Sequence, residues 1–577
     1  MKSIIKPQFS HLLILLLTVF FRNSTGELTQ AYKDSTDQII ENLRKRDCII
    51  EYSYDGGVTS DTGLSVSVEQ IRHHFGFGAA INWDSGFVKV GKEKYGNLVK
   101  EYFEWATPED EMKWYYTDTT GNTPCGPQFY DHADSLVEWC LRNDINVRGH
   151  NLFWNERVEF QAYCARPYGP YASDESTEIK NLTPAQRDAF IGEMESRLED
   201  MVTRYKDKVK HWDAVNEIVH FTTDNSAQRV VRTPGLLATW TGKTGNDGAE
   251  VFNWVMESAR DIDPTVKMCV NEYNVIEKEH DEDAYISMIK KINEGAREDA
   301  KINIIGFEGH FGDLISRTPN GGYEGYEKLV NDIAEGVDLD NSEMEFWFTE
   351  IDWNNKAPGN TADNMEELLR FAFSREDFGG VLLWIWWEGR RWRDDLVSFL
   401  VDRNFNATET GLRWKELKDE LWSTDTAGKV RDDAKFAFRG FHGKYLVTTE
   451  KGNCTQTDTV YLEPGTEEAS IQIQLKEENF SDCITVNARQ GNEPRVGFSG
   501  KTKFTINGNT ISFRHTPLDN SNIYFTVYSL NGKLISKTPL DLVYNNVSGI
   551  MKSGCVVYRI ETDNQVLYSK TGVQLKR

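Results

Sequence analysis

Two glutamates, each closing a short apolar run, are the residues of this sequence whose type and position best fit a chemical role. Glu217 closes the run 211–217, and Glu350 stands near the end of the run 345–352. An aromatic and β-branched stretch that stops at a carboxylate predicts a buried strand that delivers an acidic group to the rim of a sheet or barrel. Either glutamate alone could be a salt-bridge partner or a helix cap. Together they predict the paired carboxylates that cleave glycosidic bonds.

The elements that must position these glutamates alternate between strand-like and helix-like runs. From Phe75 to Trp422, apolar runs alternate with longer stretches of helical period, which is typical of βα units. Eight such units predict a (β/α)8 TIM barrel, an α/β fold. The predicted strands cover 75–80, 103–107, 147–150, 211–217, 266–271, 302–306, 346–350 and 381–384.

One helix of this barrel can be predicted in detail. Thr183 followed by Pro184 provides an N-cap and a first-turn proline, and apolar residues then recur at helical spacing on one face, from Phe190 to Tyr205. This helix should pack outside the barrel, before the fourth strand. The active site of such a barrel lies at the carboxyl ends of its strands, where this sequence gathers its polar residues. These are Glu109, Lys113, His150, Glu217, Asn271, His310 and Glu350.

The remaining chain is predicted to form a leader and two β-rich regions. Residues 1–26 have lysines, an uncharged apolar run and a small polar run, which predicts a secretory signal peptide rather than an uncleaved anchor. Residues 27–74 form a β-like extension that packs on the barrel or the C-terminal domain. The catalytic barrel covers 75–425, and residues 429–577 form an all-β accessory domain with the short runs of a sandwich. This region contains no tryptophan, so a packing role is favoured over carbohydrate binding.

Composition limits the partners. The formal net charge of −25 disfavours nucleic acid and anionic lipid, whereas a neutral polymer is compatible with it. The eight cysteines contain no CxxC pair, which indicates partial disulfide pairing in a secreted protein rather than a zinc site. We expect no metal, no cofactor, no membrane contact after signal removal, and a monomer. Sequons that would suit glycosylation of an extracellular protein stand at Asn181, Asn406, Asn453, Asn479 and Asn546.

Seven short motifs, in this order, resemble those of family 10 glycoside hydrolases, the endo-β-1,4-xylanases. The resemblance covers roughly residues 44–450 and fades beyond them. The motifs are Thr107-Pro-Glu-Asp-Glu-Met-Lys-Trp114, Arg148-Gly-His-Asn-Leu-Phe-Trp154, Trp212-Asp-Ala-Val-Asn-Glu217, Asn271-Glu-Tyr-Asn274, Gly306-Phe-Glu-Gly-His310, Thr349-Glu-Ile-Asp352, and Trp384 with Trp392.

The resemblance implies that Glu217 is the general acid/base and Glu350 the nucleophile of a retaining enzyme. Such an enzyme needs one protonated and one ionised carboxyl group. Burial among aromatics and the neighbouring carboxylate would keep Glu217 protonated, while hydrogen bonds would hold Glu350 ionised. We expect His310 to donate to Glu350, with Asp352 orienting the imidazole.

The other matched residues are expected to hold sugar. Lys113, His150 and Asn216 would bind hydroxyls, with Glu109 positioning them, and Tyr273 would support the surroundings of the nucleophile. Trp154, Trp384 and Trp392 offer flat faces on which a pyranose ring can pack. All sixteen tryptophans lie between Trp83 and Trp422, as a sugar cleft in the barrel would require. Arg390 to Arg393 are predicted to form a solvated loop that Asp394 and Asp395 neutralise.

Three departures from the family pattern bear on the substrate. Asp110 replaces an asparagine, Glu308 a glutamine, and Asn155-Glu156-Arg157 a His-Ser-Gln run, all near the subsites for the glycone. Carboxylates in place of amides remove hydrogen-bond donors, and Glu308 could pair with Arg157. The predicted substrate is xylan, a β-1,4-linked polysaccharide cut at internal bonds. The alternatives are a β-1,4-glucanase on soluble cellulose or mixed-linkage glucan, and a non-catalytic carbohydrate-binding protein.

Overall fold

The computed structural model divides the chain into two compact units, Met1–Thr485 and Val486–Arg577. It describes residues 28–54, 57–58, 63–117, 119–120, 123–124, 129–154, 183–219, 236–276, 279–312, 323–339, 344–357, 359–452, 454–476 and 480, and the backbone of short strands between 504 and 574. The predicted signal peptide, the run 155–157 and the sequons at Asn181, Asn453 and Asn479 lie outside these ranges.

Eight parallel strands of the first unit form a closed barrel. Each strand is hydrogen-bonded to the next, and the eighth returns to pair with the first. The predicted TIM barrel is therefore confirmed. The strands are β1 (Gly76–Ile81), β2 (Trp105–Pro108), β3 (Asn146–Gly149), β4 (Val209–Asn216), β5 (Lys267–Tyr273), β6 (Ile304–Phe311), β7 (Glu345–Trp353) and β8 (Phe378–Leu383).

A helix follows each barrel strand. Helix α3 begins at Pro184, as its proline and capping residue predict, and the apolar face from Phe190 to Tyr205 is buried. The helices are α1 (Lys92–Tyr102), α2 (Asp131–Arg142), α3 (Pro184–Arg204), α4 (Ala249–Ile262), α5 (Glu279–Gly295), α6 (Tyr323–Gly336), α7 (Thr361–Phe373) and α8 (Glu409–Lys415). Shorter elements are Trp83–Gly91, Trp114–Thr117, Phe153–Trp154, Leu236–Thr241, Asn246–Gly248, Glu298–Ala300 and Glu416–Leu421.

Two four-stranded sheets combine the segment before the barrel with the segment after it. The strand Lys45–Tyr54 pairs with Lys435–Phe441 and Ala469–Leu475, and Ser65–His73 pairs with Asp425–Lys429 and Gly443–Lys451. The apolar alternation of these strands buries one face of each sheet in a common core. The N-terminal segment thus pairs with strands that follow the barrel, but the extension 27–74 is not β-like throughout as predicted, because Gln30–Arg44 form a helix. The region 429–577, predicted as one accessory domain, is divided between the two units.

The second unit contains two antiparallel sheets, of three and four strands. Its strands are Phe504–Asn507, Thr510–Phe513, Ile523–Ser529, Leu534–Pro539, Asn545–Asn546, Gly554–Thr562 and Val566–Gln574. In the first unit, Cys48, Cys140 and Cys269 are free and buried, and Cys454 is disulfide-bonded. Among the helices of the described ranges, none combines the length and the apolar character needed to cross a membrane.

The amino end of the barrel is closed by aromatic rings. The ring of Trp105 lies 4.6 Å from that of His211 and 5.0 Å from that of Trp347. A methyl group at Gly76 or Gly380 would approach the indole of Trp347 to within 2.4 and 2.3 Å, so only glycine leaves room for it there. Packed side chains therefore fill the interior of the barrel at its amino end.

Candidate active site

Strands β4 and β7 carry the two predicted catalytic glutamates. Glu217 directly follows β4, with a left-handed backbone (φ 55°), and its N–H donates to the carbonyl of Asn271 over 2.8 Å. Glu350 lies within β7, which continues to Trp353, so this glutamate does not end its strand as predicted. Both side chains are buried, with exposed fractions of 8% and 4%.

Asn271, in β5, connects the two glutamates. Its side-chain nitrogen lies 3.0 Å from Oε1 of Glu350, 2.7 Å from Oε1 of Glu308 and 3.0 Å from Oδ1 of Asn216. Its side-chain oxygen accepts from the hydroxyl of Thr349, which fixes the orientation of the amide. From the sequence, Asn271 was recognised only as a polar residue at a strand end. Its contacts with residues of other strands could be identified only from the tertiary structure.

His150 is held by a buried ion pair. Nδ1 of His150 lies 2.7 Å from Asp213, which also accepts from Arg148. Burial raises the pKa of Asp213, but Arg148 and the hydrogen bond with His150 outweigh burial, so the pKa is below its usual value. Burial lowers the pKa of His150. A neutral His150 that donates from Nδ1 keeps Nε2 as an acceptor. Sequence reasoning missed Arg148 and Asp213, although both lie in the quoted motifs.

The predicted orientation of His310 by Asp352 is present. Nδ1 of His310 lies 2.9 Å from Oδ2 of Asp352, which also accepts from the indole N–H of Trp392 over 2.9 Å. Nε2 of His310, however, is 3.8 Å from Glu350, too far for the predicted hydrogen bond. The amide that reaches this carboxylate is that of Asn271.

Glu308 adds a third buried carboxyl group. It stands opposite Glu350 in the register of β6 and β7, and its exposed fraction is 2%. Burial, followed by the charges of Glu350 and Glu217, raises the pKa of Glu308 well above its usual value. Its proposed partner Arg157 lies outside the described residues.

Glu109 and Asp110 are bound by Arg390, which corrects the prediction of a solvated loop. Nε of Arg390 is 3.0 Å from each carboxylate oxygen of Glu109, and Nη2 is 2.9 Å from Asp110. Burial and then Asp110 raise the pKa of Glu109, against the effect of Arg390. The guanidinium reaches back from the loop after β8 because two acidic groups after β2 lie within its range. Nothing in the local sequence indicates this contact.

Lys113 lies between two of the predicted sugar platforms. Its ammonium group is 4.8 Å from the ring centre of Trp154 and 5.2 Å from that of Trp384. Trp384 is buried, Trp154 and Tyr273 are half-buried, and Trp392 is 46% exposed. Of these, Trp392 offers the largest free surface to a ligand, while the other two indoles also help to fix Lys113.

The predicted site residues therefore gather at the carboxyl end of the barrel. The residues that could hold a metal ion within the described ranges are Glu308, His310 and Glu350, whose ligand atoms lie within 4.8 Å of one another. Each of the three is also hydrogen-bonded within the protein, Glu308 and Glu350 to Asn271 and His310 to Asp352, so we do not assign the group to a metal.

Comparison with known proteins assigns the barrel to a family. The sequence model of Glycosyl hydrolase family 10 matches residues 67–412. The chain is 29% identical over 447 residues to the anti-sigma-I factor RsgI6 of Acetivibrio thermocellus, covering 76% of this chain and 50% of that protein. It is 26% identical over 443 residues to endo-1,4-beta-xylanase 3 of Arabidopsis thaliana, with coverages of 76% and 50%.

Among solved structures, xylanase 10B from Thermotoga petrophila in complex with xylobiose is 18% identical, with a TM-score of 0.46, covering 60% of this chain and 95% of that one. The chain spans about half the length of the two curated relatives named above. The match of the family model over the whole barrel shows that the chain belongs to glycosyl hydrolase family 10.

Proposed function

We propose that this chain hydrolyses internal β-1,4 bonds of xylan with retention of anomeric configuration. The observation that carries the proposal is the position of Asn271: its carbonyl holds the backbone of Glu217, and its amide holds the carboxylate of Glu350. One residue thus holds the backbone of one glutamate and the carboxylate of the other, the two residues that a double displacement requires. Family membership and the xylanases among the relatives support the same reaction.

In the first step, the carboxylate of Glu350 attacks the anomeric carbon, while Glu217 gives its proton to the departing glycosidic oxygen. This forms a covalent glycosyl-enzyme and releases the aglycone. In the second step, Glu217 takes a proton from water, and the resulting hydroxide displaces Glu350 from the anomeric carbon. The hydrogen bond from Asn271 stabilises the negative charge on Glu350 before the attack and after the release.

The sugar is proposed to lie against the polar groups around this pair. Lys113, His150 and Asn216 would bind hydroxyls, and the exposed face of Trp392 would pack on a pyranose ring. Because burial lowers the pKa of His150, its Nε2 would serve as a hydroxyl acceptor. Asp110, occupied by Arg390 and by the Tyr115 hydroxyl 2.7 Å away, has less capacity left for substrate.

A β-1,4-glucanase is the second candidate function. It is favoured by the added carboxyl groups of Asp110 and Glu308, which change the hydrogen-bonding character near the glycone. Glucose differs from xylose by its exocyclic hydroxymethyl group. A cleft that accepts this group would act on both polymers.

The test is hydrolysis by the purified full-length protein of linear xylan, soluble cellulose and mixed-linkage glucan, followed by NMR of the anomeric protons. We expect β-anomeric products from xylan first. Initial α-anomer would contradict retention. Failure on all three polymers, with binding preserved, would favour the carbohydrate-binding alternative. The matched control is Glu350→Gln, which keeps the shape of the site and removes the nucleophile.

We further propose that the protein is secreted and glycosylated. The leader-like residues 1–26 support secretion. The sequon at Asn406 supports glycosylation, because its side chain is exposed. Secretion into the medium of a eukaryotic host and a mass decrease on removal of N-glycans would test the two proposals together. Retention in the cell would contradict the first proposal, and an unchanged mass the second.

A further inference from the structure

The side-chain amide of Asn271 has more acceptors than hydrogens. Its nitrogen carries two hydrogens but lies within 3.0 Å of three oxygens, which belong to Asn216, Glu308 and Glu350. Turning the amide over would place its oxygen against these three oxygens and its nitrogen against the Thr349 hydroxyl, which also lies 3.0 Å from the carbonyl of Phe307. The amide therefore cannot give a full hydrogen bond to two carboxylates and Asn216 together.

Glu308 interacts electrostatically with acidic groups from three other barrel strands. They are Glu350 from β7, Glu217 and Asp213 from β4, and Glu272 from β5, and Tyr285 of α5 is a further titratable neighbour. His310, on the same strand, has Nε2 3.8 Å from Oε2 of Glu308. Within the described ranges, no lysine or arginine forms an ion pair with Glu308. The cationic Arg148 is bound to Asp213 instead.

Two carboxyl groups in such a site do not both ionise at moderate pH. The ligand atoms of Glu308 and Glu350 lie within 4.8 Å of each other, and both residues are buried. Charge on Glu308 would oppose charge on the nucleophile, and no lysine or arginine of the described residues pairs with Glu308 to offset it. The proton of the pair therefore has to reside on one member, and the nucleophile is the member that needs its charge.

We propose that Glu308 carries a proton in the working enzyme and is a positioning residue, whose neutral carboxylic acid leaves the negative charge to Glu350. The inference rests on the proposed function in assigning the nucleophile to Glu350. A protonated Glu308 has one O–H donor, which can meet a substrate hydroxyl or an oxygen of Glu350. The burial and the neighbouring carboxylates that raise the pKa of Glu308 support this state.

The inference predicts how activity depends on pH. A carboxyl group with a raised pKa is neutral below that pKa and becomes charged as the pH rises through it. Loss of the proton removes the donor and places a second anion beside Glu350, so turnover falls on the alkaline side. In Glu308→Gln the amide keeps a hydrogen-bond donor at every pH. Turnover of this variant should therefore not fall at alkaline pH through ionisation of residue 308.

The decisive measurement is a difference infrared spectrum of the full-length protein, wild type minus Glu308→Gln, recorded during a pH titration. We expect a protonated-carboxyl band in the wild type near neutral pH that is absent from the variant. A carboxylate band from Glu308 throughout the range from pH 5 to 8 would overturn the inference. Glu345→Gln, which removes a carboxylate paired with Lys267 at 2.7 Å, is the control and should leave the band in place.

Kinetics give a second, separate readout. We expect Glu308→Gln to keep kcat/KM within about tenfold of the wild type, because one neutral donor replaces another, and Glu308→Ala to lose on the order of 100-fold. A far larger loss in Glu308→Gln than in Glu308→Ala would contradict the inference. If the wild type cleaves no β-1,4-glycan, the proposed function fails, while the infrared titration still decides the protonation of Glu308.

Discussion

The two ends of the barrel use the same eight strands in opposite ways. At the amino end, Trp105, His211 and Trp347 pack ring against ring, and Gly76 and Gly380 make room for Trp347. At the carboxyl end, carboxyl groups from neighbouring strands share one amide. Apolar packing lowers the free energy of the folded state, whereas crowded buried acids raise it. The comparison indicates that side chains at the amino end contribute mainly to the stability of the fold, whereas side chains at the carboxyl end contribute mainly to the reaction.

The largest expected effect is at the carboxyl end. Glu350→Gln should reduce kcat on xylan by on the order of 10⁴-fold or more, as removal of a covalent nucleophile does. The melting temperature should stay the same or rise, because one of several crowded carboxyl groups is neutralised. Steady-state kinetics and calorimetry check both. Activity near that of the wild type would remove Glu350 from the mechanism, and a lower melting temperature would contradict the contrast between the ends.

At the amino end, Trp347→Ala should show the opposite pattern. Loss of a buried indole costs about 3–5 kcal/mol of the free energy of unfolding, because the surrounding glycines leave a cavity that cannot collapse. The kcat/KM of the protein that remains folded should change little. Chemical denaturation at low temperature and active-site titration measure the two quantities. A specific loss of kcat with normal stability would show that the two ends are coupled.

Acid should weaken the amino end through His73, which precedes β1. Burial, with a smaller contribution from Lys418, lowers the pKa of His73 to about 3. Between about pH 6.5 and 3 the unfolded chain therefore binds a proton that the folded protein does not. The free energy of unfolding should fall as the pH drops through this window, by up to about 5 kcal/mol from this group. His73→Gln, which keeps a donor for the carbonyl of Lys418, should reduce the slope. If the free energy of unfolding fell equally with pH in the wild type and in His73→Gln, His73 would not be the cause of the decline.

Substitution of Arg390 tests whether an ion pair at the carboxyl end of the barrel stabilises the fold. Arg390→Met leaves Glu109 and Asp110 without their guanidinium, and should lower the free energy of unfolding by about 1–3 kcal/mol. KM for xylan should change more than kcat, since Asp110 lies 3.9 Å from Lys113, which we propose to bind a sugar hydroxyl. Arg391→Met is the matched control, because the guanidinium of Arg391 donates to the carbonyl of Asp394 over 3.0 Å. Equal changes in KM and in the free energy of unfolding in both variants would show that the contacts of Arg390 with Glu109 and Asp110 have no specific effect.

The smallest effect is expected at Trp392. Its indole is 46% exposed, so Trp392→Ala should change the free energy of unfolding by less than about 1 kcal/mol. KM should rise several-fold through the loss of a surface for the pyranose ring. Trp392→Phe, which keeps a ring but not the N–H bonded to Asp352, separates stacking from that hydrogen bond. A large loss of stability in Trp392→Ala would show that this indole belongs to the core.

Periodic elements were the part of the structure that could be predicted. The strands and helix α3 follow from apolar period and capping, which are local properties. Contacts across large separations in the chain could not be predicted in this way. Arg390 reaches Glu109 from 281 residues away, and Asn271 reaches Glu350 from 79 residues away. The sequence indicated that the N-terminal segment contacts a neighbouring region, but not which of its strands pair with which strands after the barrel.

The sequence by itself determined the fold class, the two candidate glutamates and the polar residues around them, because each is a matter of residue type and local period. Only the tertiary structure decided how they meet. A register shift between Phe307 and Glu308 skips Thr349 and places Glu350 opposite Glu308. The skipped Thr349 bonds to Asn271 and turns its amide toward both acids. Pairing between the strands of the closed barrel sets this register, and the sequence of a single strand does not determine it.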